Sequence, residues 1–273
     1  MSISKLLILL LILSFTNHAV SQSPLIVAHR GASYDAPENT IPAFKLAWDQ
    51  HADAIEGDFY LTKDQKIVCI HNKTTGKYSS QDLSVSSSTL AELRKLDVGS
   101  YKHKKYKDVR IPSIREVFAT VPPGKKIYVE IKCGPEIIPF LTREIDHSDL
   151  SADQVIVISF NSEVIKEFKK QTSKHKAYWL SGFKTQKGSA SPSFELVVKT
   201  LKDIQADGFS STQTRQDRNF IKAIQSEGFE YHVWTVNAPK IAQQFMDWGA
   251  QSITTDRPQF IRKAIENEYS NKD

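Results

Sequence analysis

The chain has 273 residues, enough for one large domain, and its 40% hydrophobic and 25% charged residues are ordinary for a globular protein. This composition argues against a disordered chain. The formal net charge is +5, from 36 basic and 31 acidic residues, an excess too small to indicate nucleic-acid binding, although it modestly favours anionic ligands.

The first 21 residues predict a cleaved signal peptide. A positive start over 1–5 precedes an apolar run over 6–15, and Ala19 and Ser21 place small residues before the cleavage point. The apolar run is too short to span a bilayer comfortably. We therefore expect an exported, soluble protein, periplasmic or secreted and without a stable membrane anchor, whose single domain covers residues 22–273.

Strand-like apolar runs then alternate with helix-like segments. The first half of the chain predicts strands over 25–28, 54–60, 67–70 and 126–132, and helices over 40–51, 89–96, 113–120 and 136–145. The second half predicts strands over 154–159, 177–180, 207–210, 230–236 and 252–255, each followed by a helix, over 162–171, 193–204, 218–227, 239–248 and 259–267.

Without the additional extended segment over 67–70, this order gives eight strand–helix units. Eight such units in a chain of this length predict an α/β fold, a single-domain (β/α)8 TIM barrel that follows the signal peptide. A doubly wound open sheet is the alternative, but no glycine-rich nucleotide loop supports it. The stretch 73–112 is the only large interruption in the pattern.

Charged residues lie inside two of the otherwise apolar predicted strands. Glu56 and Asp58 are two residues apart and so point to one face of their strand, and Glu130 and Lys132 repeat this spacing on a later strand. Such charges are costly to bury unless they are paired or bind a metal. Carboxylate oxygens suit Ca²⁺ or Mg²⁺, and a structural charge network is the alternative.

Two histidines are expected at the same end of the barrel as these carboxylates. His29 directly follows the first predicted strand together with Arg30, and His71 follows the additional extended segment. Two histidines can take up and release a proton near neutral pH. A metal, two histidines and an adjacent arginine together suggest chemistry on a phosphate ester.

Other residues at strand ends allow more than one interpretation. Trp234 belongs either to the core or to a ligand-binding surface, and Asp256 is placed to cap the last helix. Ser159 ends a strand without a Gly-x-Ser-x-Gly elbow, so a serine hydrolase is not expected. Cys69 and Cys133 flank predicted core strands; export permits a disulfide, but free buried cysteines are common.

Short motifs are spread over essentially the whole mature chain. They are Ala28-His29-Arg30-Gly31-Ala32, Pro37-Glu38-Asn39-Thr40, Ile55-Glu56-x-Asp58, Thr62-Lys63-Asp64, His71, Ile111-Pro112, Glu130-Ile131-Lys132, Trp234-Thr235-Val236-Asn237 and Thr255-Asp256-x-Pro258. In this combination the sequence resembles the glycerophosphodiester phosphodiesterase family. Asn72 departs from the family pattern, which often has Asp after the second histidine.

The resemblance implies a metal-dependent barrel that hydrolyses small-molecule glycerophosphodiesters to glycerol 3-phosphate and an alcohol. Its functional positions in this sequence are the metal ligands Glu56, Asp58 and Glu130, the acid–base pair His29 and His71, and the phosphate or substrate contacts Arg30, Lys132 and Trp234. Of the two histidines, His71 is assigned to protonation of the leaving alcohol. Either water or a neighbouring glycerol hydroxyl could attack the phosphorus.

Two other functions remain open from the sequence. One is a phospholipase-type hydrolase that acts on lysophospholipid or inositol-lipid head groups. The other is a non-catalytic barrel that binds phosphodiesters, although a binding protein has little need for both His29 and His71. Both Ca²⁺ and Mg²⁺ fit the predicted ligands, and export makes Ca²⁺ plausible because extracellular sites work at millimolar concentrations.

Overall fold

A computed structural model describes residues 23–186, 189–214 and 216–270, with side chains except over 184–186, 189–191 and 267–270. The predicted signal peptide over 1–21 lies outside the described residues. The strands are β1 Leu25–Ala28, β2 Ala54–Leu61, β3 Ile67–Cys69, β4 Lys126–Ile131, β5 Val155–Ser159, β6 Lys176–Ser181, β7 Lys184–Gln186, β8 Ser189–Ser191, β9 Gly208–Thr212, β10 Glu230–Trp234 and β11 Ser252–Thr255. The helices are α1 Ile41–Asp49, α2 Leu90–Leu93, α3 Ile114–Phe118, α4 Ile138–Asp146, α5 Ser162–Gln171, α6 Phe194–Asp203, α7 Arg218–Ser226, α8 Pro239–Asp247 and α9 Pro258–Ser270.

Eight parallel strands close into a barrel. They are hydrogen-bonded in the order β1-β11-β10-β9-β6-β5-β4-β2, and pairing of β1 with β2 closes the ring. This confirms the predicted (β/α)8 TIM barrel in one domain. The additional extended segment is β3, which pairs antiparallel with β2 outside the ring. Among the described helices, none is long and apolar enough to cross a membrane.

Apolar side chains fill two layers. The inside of the barrel holds one buried cluster, formed by Val27, Ala54, Tyr128, Ile156, Ile158, Tyr178 and Leu180. A larger cluster lies between the barrel and the surrounding helices, because the alternate residues of each strand point outward onto the apolar helix faces. Buried in this way on both sides, the strands are continuous apolar runs, as the sequence pattern suggested.

The stretch 73–112 forms a cap of its own beside β2 and β3. It packs a third apolar cluster, which includes Val68, Val85 and Leu93. Helix α2 begins with a capping box in which the Thr89 side chain accepts from the backbone N–H of Glu92 and the Glu92 carboxylate accepts from the backbone N–H of Thr89. This cap builds one wall beside the carboxyl ends of β2 and β4.

The antiparallel pair β7–β8 was not predicted from the sequence. Its segment over 184–191 consists mainly of polar residues and lacks the apolar alternation that marks a half-buried strand. It follows β6 outside the closed ring.

Candidate active site

All of the predicted site residues except Asp58 line a cavity of about 150 Å³ at the carboxyl ends of the barrel strands. Its wall contains His29, Arg30, Glu56, His71, Tyr128, Glu130, Lys132, Ile158, Phe160, Leu180, Ser210, Trp234, Thr235 and Thr254. The polar residues come mainly from β1, β2, β4 and the loops after them, and the apolar ones from β5, β6 and β10. The cavity is therefore charged on one side and apolar on the other.

Three carboxylates form a compact buried group at this end. Parallel pairing of β2 with β4 places Asp58 opposite Glu130, and Glu56 lies two residues before Asp58 on the same face. One oxygen from each residue lies within 4.8 Å of the other two. Oε1 of Glu56 and Oδ1 of Asp58 are buried without a hydrogen-bond partner. Such a set of hard, buried oxygens fits a divalent cation.

Repulsion within this group is strong. Burial and the neighbouring carboxylates raise the pKa of Glu56, and burial together with Asp58 raises the pKa of Glu130 to about 7. Burial acts in the same direction on Asp58, but Arg30 and Lys132 hold the pKa of Asp58 below its ordinary value. Full ionisation of all three therefore calls for more positive charge, which a divalent cation would supply.

Arg30 and Lys132 contact the carboxylates directly. The backbone N–H of Arg30 donates to Oε2 of Glu56 at 2.9 Å, and its Nε lies 3.1 Å from Oδ2 of Asp58. Nζ of Lys132 donates to Oε1 of Glu130 at 2.6 Å and lies 3.4 Å from Oδ1 of Asp58. Both cations line the cavity, where a phosphate could reach them.

Two residues of the Pro37-Glu38-Asn39-Thr40 motif support this group, although no role is predicted for either from the sequence. Asn39 holds Asp58 twice: its Nδ2 donates to Oδ2 at 2.8 Å, and its Oδ1 accepts from the Asp58 backbone N–H at 3.0 Å. Glu38 accepts from Arg30, Lys77 and Tyr78. The motif itself was the available signal, but these pairings become visible only in three dimensions.

His29 has a carboxylate partner from the other end of the chain. Its Nδ1 lies 2.6 Å from Oδ1 of Asp256, which also accepts from Ser33 and, through Oδ2, from Asn237. Burial opposes ionisation of Asp256, but these donors lower its pKa to about 2. An ionised Asp256 accepts from Nδ1–H, which leaves Nε2 of His29 as the free ring nitrogen. Asp256 thus orients a histidine, and the expectation that it caps the last helix is wrong, since its side chain is engaged here.

His71 has an uncharged partner. Its Nδ1 donates to the side-chain carbonyl of Asn72 at 2.8 Å, which also leaves Nε2 free. Burial lowers the pKa of His71. The residue that departs from the family pattern, Asn72, therefore still orients the ring but contributes no negative charge. Both histidines line the same cavity.

Of the remaining candidate residues, one lines the cavity and the others do not. Trp234 lines the cavity edge-on to Phe160, with ring centroids 5.3 Å apart, and its Nε1 is buried without a partner. The hydroxyl of Ser159 donates to a backbone carbonyl of β4 and accepts from a backbone N–H. Cys69 and Cys133 are both free thiols. Among these residues, only Trp234 lines the cavity.

Known proteins are similar to this chain in sequence. A glycerophosphodiester phosphodiesterase of Caldanaerobacter subterraneus is 31% identical over 244 residues, which cover 87% of this chain and 96% of that one. A glycerophosphodiester phosphodiesterase of Bacillus subtilis is 28% identical over 88% of this chain and 85% of its own length.

Solved structures of other proteins have the same fold as this chain. An Oleispira antarctica phosphodiesterase, determined in complex with the product sn-glycerol-3-phosphate, superposes with a TM-score of 0.80 at 24% identity, over 89% of this chain and 97% of that one. A Thermotoga maritima glycerophosphodiester phosphodiesterase superposes with a TM-score of 0.72 at 23% identity, over 89% and 98%. At these identities the likeness concerns the fold.

A sequence model of the glycerophosphoryl diester phosphodiesterase family matches residues 29–260, a range that spans the barrel from His29 to the last helix. This match decides against a non-catalytic barrel. The chain belongs to the glycerophosphoryl diester phosphodiesterase family and is a phosphoric diester hydrolase.

Proposed function

We propose that this protein hydrolyses glycerophosphodiesters to glycerol 3-phosphate and an alcohol, with a divalent cation held by Glu56, Asp58 and Glu130. The observation that carries the proposal is a buried group of three carboxylates, two of which, Glu56 and Glu130, line one cavity with His29 and His71. The bound product in the Oleispira structure supports the choice of substrate.

The cation is Ca²⁺ or Mg²⁺, because all three side chains offer hard oxygens. When bound, it supplies positive charge that stabilises the negative charge developing on the phosphoryl oxygens. Arg30 and Lys132 contact the phosphate from the same side and add to this stabilisation. Trp234 contacts the substrate from the apolar side of the cavity.

The two histidines divide the proton transfers. Asp256 compensates a positive charge on the His29 ring, which suits His29 to hold a proton and give it to the leaving alkoxide. His71 has a neutral partner and a lowered pKa, which suits it to accept the proton of the attacking oxygen. These partners favour the opposite assignment to the one expected from the sequence.

Residues 1–21 act as a signal peptide in this proposal, and residues 22–273 form the exported domain in the periplasm or outside the cell. The support is the sequence pattern of a positive start, an apolar run and small residues before position 22. N-terminal sequencing of the mature protein should begin near Gln22, and a cytoplasmic protein that retains Met1 would contradict export.

The central test is turnover of glycerophosphodiesters by the purified mature chain, after chelation and after return of individual metals. We expect chelation to abolish activity and Ca²⁺ or Mg²⁺ to restore it. Glu56→Gln should weaken metal binding in calorimetry and lower the rate together. Glu195→Gln, an exposed carboxylate on α6, is the matched control and should change neither. Full activity in a chelated enzyme would reject the metal, and no turnover of any glycerophosphodiester would reject the substrate class.

Alanine variants of the two histidines test the proton transfers. Each should lower kcat on natural substrates by a factor on the order of 10² to 10⁴, the usual contribution of a positioned proton carrier. The leaving group of a nitrophenyl ester is nitrophenolate, which departs without being protonated. His29→Ala should therefore recover much of its rate on that substrate, and His71→Ala should not. Recovery in His71→Ala instead would reverse the two roles.

A further inference from the structure

A second and larger cavity, of about 730 Å³, adjoins the candidate site. Its wall contains Tyr60, Lys73, Thr74, Ser84, Val85, Ser86, Glu130, Ile131, Lys132, Cys133, Gly134, Ser159, Phe160 and Asn161. Glu130, Lys132 and Phe160 belong to both cavities, so the larger one begins where the carboxylate group ends. Its outer wall is the cap over 73–112, which is not part of the barrel.

The volumes of the two cavities suit different parts of the substrate. A volume of about 150 Å³ leaves little room beyond a phosphate and a three-carbon unit. The volume of about 730 Å³ lies in the range of ordinary small-molecule sites. If the phosphate sits beside Lys132 and Glu130, which line both cavities, the alcohol on its far side extends into the larger cavity.

Positive and neutral groups dominate the larger cavity. Lys73 is exposed on its wall, and its ammonium forms no ion pair with the described residues. Ser84, Ser86 and Asn161 add hydroxyls and a carboxamide. The one carboxylate of the wall, Glu130, is already bound to Lys132 at 2.6 Å. A negatively charged group or a set of hydroxyls would find partners here.

A quaternary ammonium group would find few binding partners in the larger cavity. Such cations are recognised by open aromatic faces or by carboxylates. Phe160 is 47% exposed at the boundary of the two cavities, but Nζ of Lys132 lies 5.8 Å from the centroid of its ring. Tyr60 is almost fully buried. The aromatic surface beside the phosphate is therefore already shared with a protein cation.

We propose that the larger cavity binds the alcohol portion of the substrate and selects alcohols that carry a carboxylate or several hydroxyls over quaternary ammonium alcohols, with Lys73 as the selecting residue. This specificity rests on the proposed function, because it concerns the leaving group of that reaction. Lys73 touches neither the phosphate-binding residues nor the histidines in any described contact, so its removal should spare the chemistry.

The sharpest probe is a pair of substrates that differ only by a carboxylate, glycerophosphoserine and glycerophosphoethanolamine. We expect kcat/KM for the serine ester to exceed that for the ethanolamine ester by roughly fivefold, the size of one partly exposed ion pair. Glycerophosphoinositol should also rank above glycerophosphocholine. Lys73→Met should bring the serine-to-ethanolamine ratio close to one, mainly through KM, and should leave the ethanolamine ester unaffected.

Lys66→Met is the matched control, since it removes the same exposed charge from the turn between β2 and β3 without touching either cavity. The ratio should keep its wild-type value in this variant, and Lys73→Arg should also preserve it. An unchanged ratio in Lys73→Met, or a wild-type preference for the choline ester, would overturn the inference. Hydrolysis of all four esters at equal rates would overturn the inferred specificity and leave the proposed function intact. Hydrolysis of none of them would overturn both.

Discussion

Single side chains at the cavity are held by partners that lie far away along the chain. Asp256 is 227 positions from His29, and Asn39 is 19 positions from Asp58. Each partner supplies a fixed hydrogen bond that selects one orientation of the side chain that it contacts. The orientation of His29 therefore depends on closure of the barrel, which brings β11 beside β1.

Asp256 should act on the rate through His29 alone. Asp256→Asn keeps an acceptor near Nδ1 but removes the negative charge, and we expect kcat to fall by a factor on the order of 10² to 10⁴ with little change in KM. Like His29→Ala, the variant should recover on a nitrophenyl ester. Ser33→Ala removes one donor to the same carboxylate and should cost less than about tenfold. Equal losses on both types of substrate would show that Asp256 has another role.

The positions of the cavity residues could be predicted from the sequence, and their hydrogen-bond partners could not. His29, Glu56 and Glu130 stand in or directly after apolar runs, so the barrel rule places them at one end. Asp256 follows the last strand in the same way, but the Asp256-Arg257-Pro258 pattern is also typical of a helix start. Only the distance to His29 decides between these roles, and no local pattern contains it.

At the scale of elements, the turn that directly follows β1 places His29 and Arg30, and the backbone N–H of Gly31 donates to the carbonyl of Ala28 across it. Gly31 follows them with φ of 80°, in the left-handed region that favours glycine. A Cβ at this position would lie 2.6 Å from the backbone carbonyl carbon of Ala43 in α1. The turn thus needs both the conformation and the small size of glycine.

Gly31→Ala should destabilise the protein by about 3 kcal/mol, because positive φ and overpacking each cost of order 1–3 kcal/mol. Gly228→Ala is the matched control: its φ is 89°, but nothing lies within 4 Å of the added Cβ. It should cost only about 1 kcal/mol. Urea unfolding of the three proteins measures the difference. Equal losses would mean that close packing against α1 contributes nothing.

Elements were predictable where one physical signal dominates. Helix α5 and strand β11 match their predicted bounds, because helical spacing and a short apolar run are unambiguous there. The predicted helix over 136–145 instead begins with a 3₁₀ turn over Pro135–Ile137 before α4. The pair β7–β8 carries no apolar pattern and was missed. Local backbone hydrogen bonds, which a pattern of side chains does not encode, decide these two segments.

On the scale of the whole molecule, the barrel interior is polar at both ends. At the amino-terminal end, the ring of His232 stacks on Tyr178 with centroids 4.0 Å apart, and its Nδ1 lies 2.8 Å from the hydroxyl of Ser252. Glu230 accepts from Tyr178 at 2.7 Å and pairs with Lys176. This network closes the end of the barrel opposite the cavity and ties together β6, β10 and β11.

His232 should make the barrel less stable in mild acid. It is almost fully buried, and burial lowers its pKa below the ordinary 6.5. The unfolded chain then binds more protons than the folded one as pH falls below 6.5, so the free energy of unfolding decreases, by at most about 1.4 kcal/mol per pH unit from this group. His232→Phe keeps the stacking and removes the titration.

Urea unfolding of both proteins at several pH values between 8 and 5 measures this contribution. Other groups, including His71 and His175, titrate in both proteins and cancel in the comparison. We expect the variant to lose stability less steeply below pH 6.5, even if the loss of the Ser252 contact makes it less stable at pH 8. Parallel stability curves would mean that His232 binds a proton as readily in the folded barrel as in the unfolded chain. The neighbouring Glu230, whose pKa is lowered to about 2, would then be compensating the buried charge.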